Sequence, residues 1–136
     1  MRLKKSYLFL AFIIILLPSC RNKVETLTIA GDWEVLSIKD TSGFEVSPNF
    51  VINLETMKVA GFSGCNRFFG TIITQDNSLT FHNMGGTKKA CPDFTVENLF
   101  ITTIPKVKSF TFKKKNLLFL SESNETIMTL KPIETE

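Results

Sequence analysis

The sequence predicts a mainly β (α+β) fold: a curled antiparallel, barrel-like sheet of about eight short strands with one helix. Three observations carry this expectation. Short apolar stretches with period-two alternation recur at hairpin spacing, bounded by Gly, Asn, Asp and Ser. One segment, Thr95 to Ile104, breaks the pattern by placing Val96, Leu99, Phe100 and Ile104 at i, i+3, i+4 and i+8, a single helix face. The chain has 136 residues, 43% hydrophobic with 13 Phe, which suits one core rather than two. Closing the sheet on itself lets that many large apolar residues coexist with solubility. The apolar fraction and small net charge exclude a disordered chain, and 3 Cys exclude a disulfide-framework mini-protein.

The first 19 residues read as a lipoprotein signal peptide. Arg2, Lys4 and Lys5 form a basic start, and Tyr7 to Leu17 is an unbroken apolar run. A helix over that run spans roughly half of a bilayer's hydrocarbon core, too short for a stable membrane span. Leu17-Pro18-Ser19-Cys20 resembles a bacterial lipobox. The resemblance implies cleavage before Cys20, diacylglycerol on its sulfur and acylation of its amino group. Two or more chains anchor a protein stably. Arg21 stands where an Asp would favour inner-membrane retention, so the expected address is the outer membrane, facing the periplasm. The formal charge of +3 belongs to this leader. The chain's 16 basic residues lose Arg2, Lys4 and Lys5 on cleavage and then balance its 13 acidic ones. No acidic partner or nucleic acid is therefore implied.

Residues 20–27 read as a lipidated tether, 28–132 as one domain and 133–136 as a tail. The first strand is Trp33 to Ile38, followed by a turn at Asp40-Thr41-Ser42-Gly43. Phe50, Ile52 and Leu54 share one face of the next, and Met57 to Gly61 follows a tight Glu55-Thr56 connection. Phe69 to Ile73 precedes a turn at Gln75-Asp76-Asn77, after which Leu79 and Phe81 point one way. Asp93 or Thr95 is the expected helix cap, and Pro105 marks the helix end. Phe110 and Phe112 alternate with Thr111, and Lys114-Lys115-Asn116 turns into Leu117 to Leu120. Ser123-Asn124-Glu125 turns into Ile127 to Leu130.

The most informative stretch is Gly61-Phe62-Ser63-Gly64-Cys65-Asn66-Arg67-Phe68-Phe69-Gly70. Three glycines between two apolar strands point to positive φ or close backbone approach, and Asn66 tolerates the left-handed region and can bond its own turn. The stretch resembles the signature of the META/HslJ-like domain family. Gly31-Asp32-Trp33 resembles that family's opening strand, and Met84 through Thr87 to Cys91 resembles its second motif. Glu97 with Phe100 and Ile104 matches its helix. Gly85-Gly86 departs from it, since larger residues are commoner before Thr87. The resemblance implies a small β-rich domain with one helix, often on envelope lipoproteins and linked to heat-shock or stress induction, without a settled enzymatic activity. Gly61, Gly64, Gly70, Trp33, Thr87 and Glu97 are then structural-motif residues.

Cys65 and Cys91 each lie in one of these motifs, and export places them in an oxidising compartment. A disulfide between them is the leading reading. Two buried thiols, or a metal or redox pair, are the alternatives; the chain has no C-x-x-C and lacks partners for a four-ligand site. Arg67 has apolar neighbours, so its guanidinium is expected to seek a carboxylate, with Glu97 one candidate. In a functional reading, Asn66 and Arg67 rim an anion- or peptide-binding site. His82 is the only His, too little for a Cys–His site unless the fold brings it beside Cys65 or Cys91. Lys106, Lys108 and Lys113 to Lys115 read as a solvated hairpin.

Three functions follow as expectations. The first is a non-enzymatic envelope lipoprotein that serves stress tolerance or envelope integrity through an envelope protein partner, with the membrane engaged through Cys20. The second is binding of a small apolar ligand or peptide in a barrel-like pocket. The third is a Cys-dependent hydrolase. No cofactor and no metal are expected.

Overall fold

The computed structural model describes residues 27–134. The leader, Cys20 and most of the tether lie outside the described residues. The elements in chain order are β1 (Gly31–Ile38), β2 (Thr41–Ser42), β3 (Asn49–Asn53), β4 (Lys58–Phe62), β5 (Arg67–Gln75), β6 (Ser78–Gly86), helix α1 (Thr95–Thr103), a 3-10 turn (Ile104–Lys106), β7 (Ser109–Lys113), β8 (Asn116–Leu120) and β9 (Thr126–Pro132).

The strands form one antiparallel sheet in the order β2-β1-β3-β4-β5-β6-β7-β8-β9, and β1 also pairs with β9. That second pairing, from Trp33↔Pro132 to Ile38↔Met128, curls the sheet into a ring. Eight strands make the ring. The ninth, β2, is a two-residue stub folded back on β1 through Ser37↔Ser42 and Ile38↔Thr41, within the segment expected to be a plain turn. The reversal falls earlier, at Lys39, whose φ is 50°.

Most strand boundaries shift from the sequence expectation for local reasons. Met57 belongs to the β3–β4 turn, with φ 53°, so β4 starts one residue later. Asn53 closes that turn by accepting the Thr56 amide on Oδ1 at 2.9 Å. Strands β5 and β6 run longer than their apolar alternation, from Phe68↔Gly86 to Gln75↔Ser78, across a register shift between Phe69 and Thr71. The helix begins at Thr95, but no side chain caps its N-terminus. Instead, Asp93 Oδ1 accepts the Thr95 amide at 2.8 Å and the Thr95 hydroxyl at 2.6 Å, bracing the chain just before α1.

The ring is thinnest between β6 and β7, which share the single pairing Ser78↔Ser109. Two bonds hold this seam: Leu79 N–H to Lys108 O at 3.0 Å and Phe110 N–H to Asn77 O at 2.9 Å. The chain between these strands is α1 and the 3-10 turn, and α1 sends Phe100 into the core. The interior is filled. Phe50 sits at its centre, with ring centroids 5.3 Å from Phe68, 5.2 Å from Phe100, 5.6 Å from Phe119 and 6.0 Å from Phe81. Each such side chain contributes roughly 1.5–3 kcal/mol by burial, and each edge or tilted pair about 0.5–1.5 more. Trp33 is buried and donates its indole N–H to Ile29 O at 2.9 Å. Among the described residues the buried core runs from Ile29 to Leu130, so a chain starting at Arg21 holds all of that core and all of the described strands.

Candidate functional site

The Gly61–Gly70 stretch covers the end of β4, a turn and the start of β5. Ser63 N–H donates to Asn66 O at 2.8 Å and closes the turn. Of its three glycines only Gly64 has positive φ, at 110°. A Cβ on Gly64 would stand 2.8 Å from Val96 Cγ1, so the helix packs directly on this residue. Gly61 answers the other requirement: a Cβ there would run into the Asn49 carbonyl oxygen of the paired strand and the Phe68 ring. Gly70 lies against Met84 in the same way. Asn66 has no positive φ, so its role is bonding between segments rather than a left-handed turn.

Asn66 is the hub of this region and only 6% exposed. Its Oδ1 accepts the Thr87 hydroxyl at 2.9 Å and the Lys89 amide at 2.7 Å. Its Nδ2 lies 3.1 Å from Glu97 Oε2 and 3.4 Å from Lys89 O. Its backbone N–H donates to Glu97 Oε1 at 3.2 Å. Glu97, also 6% exposed, enters from α1 on the face it shares with Phe100 and Ile104. Ser63 Oγ is 2.6 Å from Glu97 Oε1 and 2.8 Å from Asn66 O, and its single hydrogen serves one of them at a time. Thr87 doubles the tie, as its Oγ1 accepts the Arg67 amide at 3.1 Å and its own amide donates to Arg67 O at 2.9 Å. Cys65 and Cys91 form a disulfide with Cα atoms 6.1 Å apart, joining the turn to the segment that leads into α1.

The expected pairing of Arg67 with Glu97 is therefore not formed. Glu97 is satisfied by Ser63 and Asn66, while Arg67 is exposed, because alternation along β5 turns it outward and Phe68 inward. The only ion pair among the described residues is Lys131 with Glu34, at 3.0 Å. His82 lies exposed on β6, with Nε2 2.9 Å from Thr80 Oγ1. Both motif sulfurs are bridged, so neither is a thiolate. Among the described residues no group of three or more His, Cys, Asp or Glu is placed to hold a metal ion. Lys113, Lys114 and Lys115 are exposed at the β7–β8 turn.

Beside the Asn66 hub lies a cleft of about 710 Å³ that the sequence did not reveal. One wall is Met84 to Gly86 of β6 with the following Thr87–Ala90 segment, and the other is α1 with the 3-10 turn. Phe68 and Phe100 also line it. Its apolar walls are open to solvent: Met84 is 38% exposed, Phe94 39% and Ile101 55%. Arg67, Lys88 and Lys89 stand exposed along it. A second cleft, about 1020 Å³, mixes Lys39, Lys106 and Lys108 with Asp40, Glu122 and Glu125.

The comparisons agree with this geometry. The profile of the META domain family matches residues 25–134, which includes the Asn66 hub, the disulfide and both cleft walls. No curated protein matches the chain. Three solved structures share the fold at low identity. One is a protein from Burkholderia xenovorans solved by NMR, with TM-score 0.64 and 20% identity over 77% of this chain and 83% of that one. Another protein solved by NMR gives TM-score 0.59 at 20% identity, covering 74% and 87%. The crystal structure of a DUF4847 family protein from Bacteroides vulgatus gives 0.58 at 13% identity, covering 79% and 95%. With the profile spanning every strand and the helix that carries Glu97, this chain belongs to the META domain family.

Proposed function

We propose that this chain is a non-enzymatic envelope lipoprotein, anchored through lipid on Cys20 at the outer membrane and facing the periplasm. Its META domain acts as a binding module in stress tolerance or envelope integrity. The observation that carries the reading is the cleft: apolar side chains stay exposed beside a hydrogen-bonded and disulfide-bridged support. Rigid support under an open apolar surface suits recognition, because little order is lost on binding. The leader sequence and Cys20 support the address. Against a Cys-dependent hydrolase stand the bridged sulfurs and the exposed His82 ring, which pairs with the Thr80 hydroxyl rather than with a sulfur.

Two measurements test it. Metabolic labelling with a fatty-acid probe labels the exported wild type and not Cys20→Ser; equal labelling of both overturns the anchor. Ile101→Asp, at an exposed position, leaves the melting temperature unchanged and removes the protein's contribution to survival under envelope stress. Full function in a folded Ile101→Asp protein overturns the cleft as the binding surface.

The second reading narrows the occupant to a small apolar ligand or peptide. Aromatic side chains packed around Phe50 occupy the centre of the ring, which favours the cleft beside α1 for such a ligand.

A further inference from the structure

We infer that the cleft beside α1 takes an amphiphile with a single hydrocarbon chain and an anionic head, a long-chain carboxylate being the simplest member of the class. The inference rests on the cleft being the binding surface and adds the chemistry of what fills it. Its volume, about 710 Å³, lies within the roughly 300–1,000 Å³ of small-molecule sites. The walls at Met84, Phe94 and Ile101 are apolar and solvent-exposed, which a hydrocarbon chain would cover.

The charges along the cleft have one sign where they are free to act. Arg67, Lys88 and Lys89 are exposed, and among the described residues none of them forms an ion pair. The one acidic side chain on the cleft, Glu97, has both oxygens engaged by Ser63 and Asn66. Among the described residues lining the cleft, a cationic head therefore finds no exposed carboxylate to pair with. A carboxylate finds on this cleft a guanidinium, able to bind it through two parallel N–H groups, and two lysines. Arg67 is also free to serve this way without loss of structure, since its backbone, not its side chain, makes the bonds to Thr87.

The test uses the chain beginning at Arg21, with its disulfide oxidised, and follows the Met84 and Ile101 methyl resonances during titration. Probes are straight-chain carboxylates and alcohols of matched length, kept below their micelle concentrations. Dodecanoate is expected to shift both methyls and to bind more tightly than dodecanol. Affinity should rise about fourfold per added methylene until the cleft is full. Replacing Arg67, Lys88 and Lys89 together by Gln should weaken dodecanoate by about tenfold and leave dodecanol unchanged. A further arm adds vesicles of phosphatidylcholine with and without phosphatidylglycerol. Methyl shifts with monomeric dodecanoate support the single-chain carboxylate, while shifts only with the phosphatidylglycerol vesicles overturn it in favour of an anionic bilayer surface.

Equal binding of dodecanol and dodecanoate, unaffected by the Gln variant, overturns the anionic head and leaves the apolar cleft standing. Absence of shifts with every lipid probe, together with shifts from an acidic peptide, overturns the amphiphile in favour of a protein ligand. Loss of stress function in Ile101→Asp despite no lipid binding overturns this inference alone.

Discussion

Glu97 holds Asn66 at both ends: its Oε1 accepts the Asn66 backbone N–H at 3.2 Å and its Oε2 the Asn66 side-chain amide at 3.1 Å. One helix side chain thus fixes the conformation of the residue on which the β4–β5 turn and the Thr87–Lys89 segment converge. Replacing Glu97 by Ala takes the main acceptor from two buried donors, the Asn66 backbone N–H and side-chain amide, while the Ser63 hydroxyl keeps Asn66 O. The expected loss is about 3 kcal/mol in a denaturant titration, since each orphaned buried group costs roughly 1–3 kcal/mol. Arg67→Ala removes only an exposed side chain, with an expected change within about 0.5 kcal/mol. Equal losses from the two substitutions would restore the Arg67–Glu97 pairing that the sequence suggested.

That contrast marks what was legible in the sequence. Ring strands and helix were, because alternation and helical spacing report the type of element, although on α1 Val96 and Leu99 stay half-buried while Glu97 and Thr103 are buried; the two motifs located the hub. The pairing of Arg67 was not. Opposite charge makes Glu97 an obvious partner, but neutral donors from Ser63 and Asn66 satisfied it first, and the pleat of β5 turned Arg67 outward. Turn positions at Lys39 and Met57 were hidden because both residues take left-handed φ without being Gly or Asn. The cleft was hidden for a different reason. It exists only where Met84–Ala90 faces Phe94–Pro105, and no local pattern encodes a gap between two segments.

The Cys65–Cys91 bridge closes a loop with a sequence separation of 26. In the chain-entropy account such a link stabilises by about 3–4 kcal/mol. The double Cys→Ser variant should lose about that much in a denaturant titration, and the protein isolated without reductant should give no alkylated thiol at either position. Two alkylated thiols in that protein would refute the bridge.

Asp93 braces the chain before α1. The Thr95 hydroxyl, then the Thr95 amide, hold its carboxyl below the ordinary value. The folded state then binds this proton less readily than the unfolded chain. The stabilisation is present in full above the ordinary Asp range and fades as pH falls through the lowered folded value. Because the group is exposed to solvent, the effect is small. Asp93→Asn should lower the melting temperature slightly at pH 6 and not at pH 2. A difference of equal size at both would show that charge plays no part.

Thr103 has a fully buried hydroxyl oxygen with no hydrogen-bond partner among the described residues. A buried polar group left unpaired costs about 1–3 kcal/mol. Thr103→Val keeps the branched shape and removes the hydroxyl, so it should stabilise the domain by about 1 kcal/mol despite the small volume mismatch. Thr103→Ser keeps the orphan and opens a methyl-sized void, so it should destabilise. A less stable Val variant would mean that the hydroxyl is in fact satisfied.

Gly64 and Gly43 separate two costs that glycine substitutions usually mix. Both have positive φ, 110° and 71°, but an added Cβ meets nothing within 4 Å at Gly43 and stands 2.8 Å from Val96 at Gly64. Gly43→Ala should therefore cost only the left-handed backbone term, about 1–2 kcal/mol. Gly64→Ala carries its own backbone strain and in addition pushes α1 away from the turn, for about 3 kcal/mol or more. The displacement should also reach Glu97, the next residue after Val96, and lengthen its bonds to Asn66. Amide exchange at Asn66 and Lys89 should accelerate in Gly64→Ala and stay unchanged in Gly43→Ala. Equal stability losses, with protected amides in both, would show that the helix does not bear on Gly64.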